Sequence, residues 1–221
     1  SYMNYTHPVL DPVTHSVINA KAAILLNDSM ILCGTHARFY RINTHTENVE
    51  VLDNQDIRIT SMLTFNDSLI YYGSTDGLHK YDVEKKENIA FDKTNPLLYE
   101  RVVSLCMNSD SIVWVATAGN GLFAVWHDSV ISHISYKQGL NTSSIRTIAT
   151  GKSKQLFVGT NEGISIIDYM ASIRSPYIKN ISVSDGLSSN GINRILFRYD
   201  SVYAAGNSGV SIFPASISIP T

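Results

Sequence analysis

The feature that most constrains this chain is a short motif that returns along its length. An Asp-Ser pair is followed by an apolar run and then by a small residue six positions after the Asp. The copies run from Asp28-Ser29 to Gly34, Asp67-Ser68 to Gly73, Asp110-Ser111 to Ala116 and Asp200-Ser201 to Gly206. A degenerate copy, Ser153-Lys154 to Gly159, fills the gap. Successive copies lie 39, 43, 43 and 47 residues apart. Eight positions before each pair stands Ala20, Ile59, Val102, Ile145 or Ile192. Self-similarity at such a period marks a repeat architecture, in which one unit cannot bury its own apolar faces and its neighbours cover them.

Each unit reads as strands joined by turns. A first β-rich run precedes the pair, as in Ile59 to Phe65 or Val102 to Met107. A second follows it, as in Leu69 to Tyr72, Ile112 to Val115 and Leu156 to Val158. Both favour β-branched and aromatic residues, and the Asn-Asp-Ser between them is hairpin chemistry. Glycine-rich turns such as Gly73 to Gly77 and Gly159 to Gly163 supply positive φ and lead to third strands at Leu78, Leu122, Ile164 and Val210. Runs at Ile131 to Tyr136 and Tyr177 to Ser182 supply a fourth. No apolar period near 3.6 is sustained, so helices are short or absent. The reading is all-β: a β-propeller of about five four-stranded blades in one domain, residues 1–221, with units at approximately 17–55, 56–98, 99–138, 139–184 and 185–216. Tyr71, Trp114, Phe157 and Tyr203, the last offset by one, are expected to pack between blades.

Composition narrows the function. Hydrophobic residues make up 44% and charged residues 16%, enough for a packed core. Seventeen basic residues against nineteen acidic give a net charge of −2, without the basic excess that nucleic-acid binding uses to neutralise phosphates. Purely apolar stretches such as Ala22 to Leu26 are far shorter than a membrane span, and no leader is visible at the N-terminus. The two cysteines, Cys33 and Cys106, sit in apolar strands of non-adjacent units and read as buried thiols, which leaves the redox compartment open.

With the strands in place, Gly139-Leu-Asn-Thr-Ser-Ser-Ile145 and Asp185-Gly-Leu-Ser-Ser-Asn-Gly-Ile192 each precede a first strand, and Leu156-Phe-Val-Gly-Thr-Asn-Glu-Gly-Ile164 follows one. This resembles the regulator-propeller repeat of the periplasmic sensors of bacterial hybrid two-component systems and related histidine kinases. Val113 to Thr117 with Gly121-Leu122 matches with one inserted residue, whereas the first unit has Thr35-His-Ala-Arg38 where the glycine turn belongs. The resemblance implies a sensor ectodomain on the periplasmic or extracellular face of a membrane receptor. Such propellers have seven blades, followed by a β-sandwich, a membrane helix and a kinase. Five units then form either a closed ring or an incomplete part of a seven-bladed one, whose partners are the missing blades and downstream domains of the same receptor. Open blade faces would favour self-association, a homodimer included. The tail from Phe213 to Thr221 reads as an outer strand or a linker.

A search for chemistry returns little. The seven histidines form no His-x-x-x-His pattern, no Cys-x-x-Cys exists, and neither a nucleophile elbow nor a phosphate loop is present. No catalytic residue, metal site or cofactor is assigned. The repeated Asp28, Asp67, Asp110 and Asp200 recur in the same turn of different blades, too dispersed for an acid/base pair. Function therefore falls on loops and on residues just inside the first strands, where a propeller channel opens: Lys21, Thr60, Arg146, Asn193 and Arg194, with the loops 141–144 and 188–190. Arg and Asn there suit a hydroxyl-rich or carboxylated small molecule such as an oligosaccharide. The leading reading is a non-catalytic, ligand-sensing module that detects a glycan fragment. The alternatives are a protein-interaction scaffold, which lacks WD-type pairs, and a propeller-fold lyase or glycosidase, which lacks an acidic or histidine cluster.

Overall fold

The computed structural model describes residues 8–54, 57–90 and 96–215. The chain divides into two compact units, Ser1–Ala90 and Phe91–Thr221. Every sheet is an antiparallel meander.

In the first unit, β1 (Ala22–Asn27), β2 (Met30–Gly34), β3 (Arg38–Asn43) and β4 (Val49–Asn54) form blade 1, and β5 (Ile59–Thr64), β6 (Leu69–Ser74), β7 (Gly77–Asp82) and β8 (Glu87–Ile89) form blade 2. Their shared core is Leu32, Phe39, Ile59, Met62, Ile70, Tyr72 and Tyr81. Phe39 meets Tyr72 edge-on with ring centroids 4.9 Å apart, the favoured aromatic geometry. Gly34 explains the small residue of the motif, because a Cβ there would lie 2.6 Å from Ile59 Cγ2 of the next blade.

In the second unit, β9 (Val102–Met107), β10 (Val113–Thr117), β11 (Leu122–Trp126) and β12 (Ser129–Ile134) form blade 3. Blade 4 is β13 (Ile145–Thr150), β14 (Gln155–Thr160), β15 (Ile164–Asp168) and β16 (Tyr177–Ile181). Blade 5 has three strands among the described residues, β17 (Ile192–Arg198), β18 (Ser201–Gly206) and β19 (Gly209–Pro214). The tail read as its outer strand or as a linker lies, from residue 216 on, outside the described residues. First strands approach one another, β9 to β13 and β13 to β17, as the inner strands of propeller blades do. Trp114 packs into the blade 3–blade 4 core with Ile148 and Tyr169, and Phe157 into the blade 4–blade 5 core with Ile192 and Ile195. Tyr203 is only half-buried, on the outward face of the last blade.

The recurrent turn has two local solutions. In blades 1 and 2 the Asn before the pair does the capping: Asn27 Oδ1 accepts Ser29 N–H at 3.0 Å, and Asn66 Oδ1 accepts Leu69 N–H at 2.8 Å. In blades 4 and 5 the turn uses left-handed residues instead, Ser153 and Lys154, then Tyr199 and Asp200. The blade 5 loop is a residue shorter, since Arg198 pairs directly with Ser201 whereas Gly151 N–H bonds to Gln155 across three residues. That shortening corrects the sequence alignment of blade 5. Arg194 pairs with Ala205 as Thr147 pairs with Gly159, so Ala205, not Gly206, is the small residue of this blade, and the offset of Tyr203 disappears.

The Gly-Leu segments before β13 and β17 are also explained. Each belongs to a 3-10 turn, Tyr136–Gln138 or Val183–Asp185, with a Ser capping box at Ser135 or Ser182 and a left-handed glycine, Gly139 (φ 110) or Gly186 (φ 102). Leu140 and Leu187 follow and are buried.

Candidate functional site

The first strands share a defect. In blade 2, Ile59 pairs with Ser74 and Ser61 with Gly73, which leaves Thr60 as an extra, bulged residue. The same shift leaves Val103, Arg146 and Asn193 bulged in blades 3, 4 and 5. A bulge re-aims side chains and is a designed feature rather than a flaw. Lys21 holds the equivalent sequence position in blade 1, immediately before β1, and its Nζ donates to Asn19 Oδ1 at 2.9 Å. Four of the five sequence candidates therefore occupy a single repeat position, and Val103 is the member that composition hid, being apolar and packed on the blade 3–blade 4 core.

Within the second unit the structure brings two candidates together. Arg146 Nη1 donates to Asn193 Oδ1 at 2.5 Å, and Asn193 Nδ2 donates to Asn207 Oδ1 at 3.0 Å. Arg146, Asn193 and Asn207 are exposed, as is Arg194 beside them. Asn207 was not among the sequence candidates, because only the register of blade 5 brings it opposite the bulge. The two loops proposed with them serve mainly structure. Ser143 accepts Gly121 N–H and Asn190 accepts Gly163 N–H, each at the preceding blade's glycine turn. Asn141 Oδ1 accepts the hydroxyls of Thr160 and Ser165.

One constellation looks catalytic and is not. Ser74 Oγ lies 3.1 Å from His79 Nε2, and the same Nε2 lies 2.9 Å from Asp76 Oδ1. A relay needs the carboxylate on the other ring nitrogen, and Ser74 is fully buried. Its hydroxyl donates to Gly77 O, as Thr117 donates to Gly121 O and Thr160 to Gly163 O, so the group closes a repeated turn.

The remaining titratable groups are structural. Asp11 is buried, accepts Tyr40 O–H and Arg38 Nη1 at 2.5 Å each, and accepts the Val13 and Thr14 amides. These donors, Tyr40 foremost, hold its carboxyl far below the ordinary range. Both cysteines are free, and burial raises the pKa of each thiol. Among the described residues no cluster of three or more His, Cys, Asp or Glu side chains is arranged to hold a metal ion, and no helix is long and apolar enough to cross a membrane.

No protein-family model matches the chain, and no curated protein sequence matches it. Solved structures do. The computationally designed protein Ika8 superposes with a TM-score of 0.68 at 14% identity, over 91% of this chain and 60% of that one. The extracellular domain of BT4673 from B. thetaiotaomicron, described as a hybrid two component system, gives 0.69 at 18% identity over 91% of this chain. That of BT3049, described likewise and from the same organism, gives 0.66 at 16% over 89%. The chain spans 28% of the BT4673 domain and 33% of the BT3049 domain. The blades and their junctions are thus those of a β-propeller, and the chain shares its fold with extracellular domains of B. thetaiotaomicron two-component systems.

Proposed function

We propose that this chain is a ligand-sensing, non-catalytic propeller module of a bacterial two-component receptor, exposed to the periplasm or the cell exterior. It takes a glycan fragment at the bulged starts of β13 and β17, around Arg146 and Asn193 in the second unit. The observation that carries the reading is the repeated bulge, which in adjacent blades 4 and 5 sets Arg146 and Asn193 at one position and brings them into hydrogen-bond contact. The fold shared with two-component ectodomains supports the receptor context.

The test is a thermal-shift screen of the purified chain against oligosaccharides of varied composition, with Arg146→Ala and Asn193→Ala as variants. Saturation at about 100 times Kd adds about 2.7 kcal/mol. For a chain of this size that is a rise of roughly 5–10 °C in Tm. A hit abolished by either variant supports the reading. A screen in which millimolar oligosaccharides leave Tm unchanged, or in which hits ignore both variants, sinks it.

A further inference from the structure

The second unit contains the same kind of blade junction twice, and one hydrogen bond is made at only one of them. At the third position of β9 and β13 stand Ser104 and Thr147, which pair with the small residues Ala116 and Gly159. Ser104 Oγ crosses to the next blade and accepts the Ile148 amide at 3.2 Å. In blade 5 the counterpart of Ile148 is Ile195, which pairs with Ala204 as Ile148 pairs with Val158. Thr147 stands beside it, because a Cβ at Gly159 would lie 2.7 Å from Thr147 Cγ2 and 3.1 Å from Ile195 Cδ1. The bond is nevertheless absent. Thr147 is only 1% exposed, and its hydroxyl has no hydrogen-bond partner among the described residues. A buried hydroxyl left unpaired has lost its hydration and gained nothing in return, a cost that the near-isosteric valine would not carry.

The unpaired hydroxyl adjoins the candidate site. Arg146, the residue before Thr147, donates to Asn193 Oδ1 across the same pair of strands, and both side chains are exposed. Two links can therefore tie β13 to β17, one made and exposed, the other unmade and buried. The Thr147 side chain occupies staggered wells, so its paired and unpaired arrangements are discrete states. We infer that the blade 4–blade 5 junction is a two-state latch. Thr147 Oγ1 is unpaired in one state and accepts the Ile195 amide in the other, and the Arg146–Asn193 contact biases the choice between them. The paired state is the arrangement that the preceding junction already makes with Ser104 and Ile148. A ligand seated on Arg146 and Asn193 shifts the latch by the difference in its affinity for the two states, and that consequence alone rests on the sensing reading.

The latch is tested without a ligand. Relaxation dispersion of the ¹⁵N-labelled chain is expected to show microsecond-to-millisecond exchange at the Ile195 amide and none at the Ile148 amide. Thr147→Val, which removes the hydroxyl and keeps the shape, is expected to abolish that exchange and to hold or raise Tm, whereas Thr147→Ser keeps the exchange. Ser104→Ala, which removes a bond that is made, is expected to lower Tm and to speed hydrogen exchange of the Ile148 amide several-fold. Asn193→Ala cuts the exposed link and is expected to shift the populations seen at Ile195 several-fold. An Ile195 amide without exchange in the parent chain overturns the latch. So does a Thr147→Val variant that loses Tm as Ser104→Ala does, since the hydroxyl is then already paired. Exchange that ignores Asn193→Ala overturns the coupling to the site. An oligosaccharide screen without a hit sinks the sensing reading and leaves the latch standing.

Discussion

The blade 4–blade 5 junction can be stressed by a single methyl group. A Cβ at Gly159 would lie 2.7 Å from Ile192 Cγ2, 2.7 Å from Thr147 Cγ2 and 3.1 Å from Ile195 Cδ1. Carbon atoms in contact sit about 3.5–4.0 Å apart, so two of these gaps are short by roughly 1 Å. The two nearest methyls sit on β-branched residues with little freedom at χ1, and Ile192 is fully buried. Neither can swing aside, so β17 has to move as a strand. Such overpacking costs about 1–3 kcal/mol. At about 2–4 °C per kcal/mol for a chain of this size, Gly159→Ala is expected to lower Tm by roughly 2–12 °C. A matched control isolates the packing effect. Gly119 has open space where its Cβ would go, so Gly119→Ala reports only the change in unfolded-chain entropy, about 0.4–1 kcal/mol in the stabilising direction where the backbone allows it. Both tryptophans of the sequence, Trp114 and Trp126, lie in blade 3, and their fluorescence during urea unfolding reads the second unit alone. Gly159→Ala as stable as Gly119→Ala would refute the packing argument. Adding Ile192→Ala should make the double variant less destabilised than the sum of the single ones, by about 1 kcal/mol.

Other outcomes follow from the same structure. Asp11 has its folded pKa depressed, so its contribution to holding the N-terminal segment is complete above its unfolded value near 4, declines below it and is gone only once pH has fallen through the much lower folded value. Val13 and Thr14 amide signals should therefore hold from pH 7 down through the ordinary carboxylate range near 4 and collapse towards random-coil positions only well below it, whereas Asp11→Asn should show that collapse already at pH 7. The Lys154–Asp110 contact of 3.3 Å and the Lys152–Asp200 pair are half-exposed, so Lys152→Glu with Lys154→Glu should cost no more than about 2 kcal/mol at low salt and less at 1 M NaCl, read by urea midpoints. Thiol labelling at pH 8 should be slow at both Cys33 and Cys106 until the chain is unfolded, because burial holds each in its neutral form. Fast native labelling would show that the strands carrying them open readily.

Much of the fold was legible because the repeat writes the same requirement five times. The first-strand isoleucines and the small residue of the motif can be read off as two halves of one contact, which the structure shows as Gly34 against Ile59 and Gly159 against Ile192. The glycines opening third strands were also legible, since Gly77, Gly121, Gly163 and Gly209 all have positive φ. What failed was register in blade 5. Counting from the Asp-Ser pair assumes a constant hairpin loop, and the two-residue loop at Tyr199-Asp200 shifts every later residue of β18 by one. The bulge was illegible for a different reason. It inserts a residue without altering composition, so Thr60, Val103, Arg146 and Asn193 look like ordinary strand positions until their partners are known. Asn207 was lost through both causes at once.

The repeat also acts as its own control for telling structure from function. The blade 4 turn departs from Asp-Ser, but its replacements answer to neighbours: Lys154 faces Asp110 of the preceding blade and Lys152 faces Asp200 of the next. A lysine-bearing turn between two acidic ones relieves like-charge repulsion at the lower rim, so this departure is accounted for within the fold. Two departures in blade 5 also have an answer within the fold: a Cβ at 206 would lie 2.9 Å from Ser189 Cβ, and one at 191 would lie 2.5 Å from Asn207 Nδ2. Arg194 replaces a hydroxyl and meets no acid among the described residues, and Gly206 gives up the turn-closing bond that three blades keep. Beside Gly191, Asn207, Asn193 and Arg146 form a hydrogen-bonded ladder that ends on an exposed guanidinium. The ladder lies wholly within the second unit and joins bulged positions of two adjacent blades, which is why the start of β13 and β17 is where binding should be sought first.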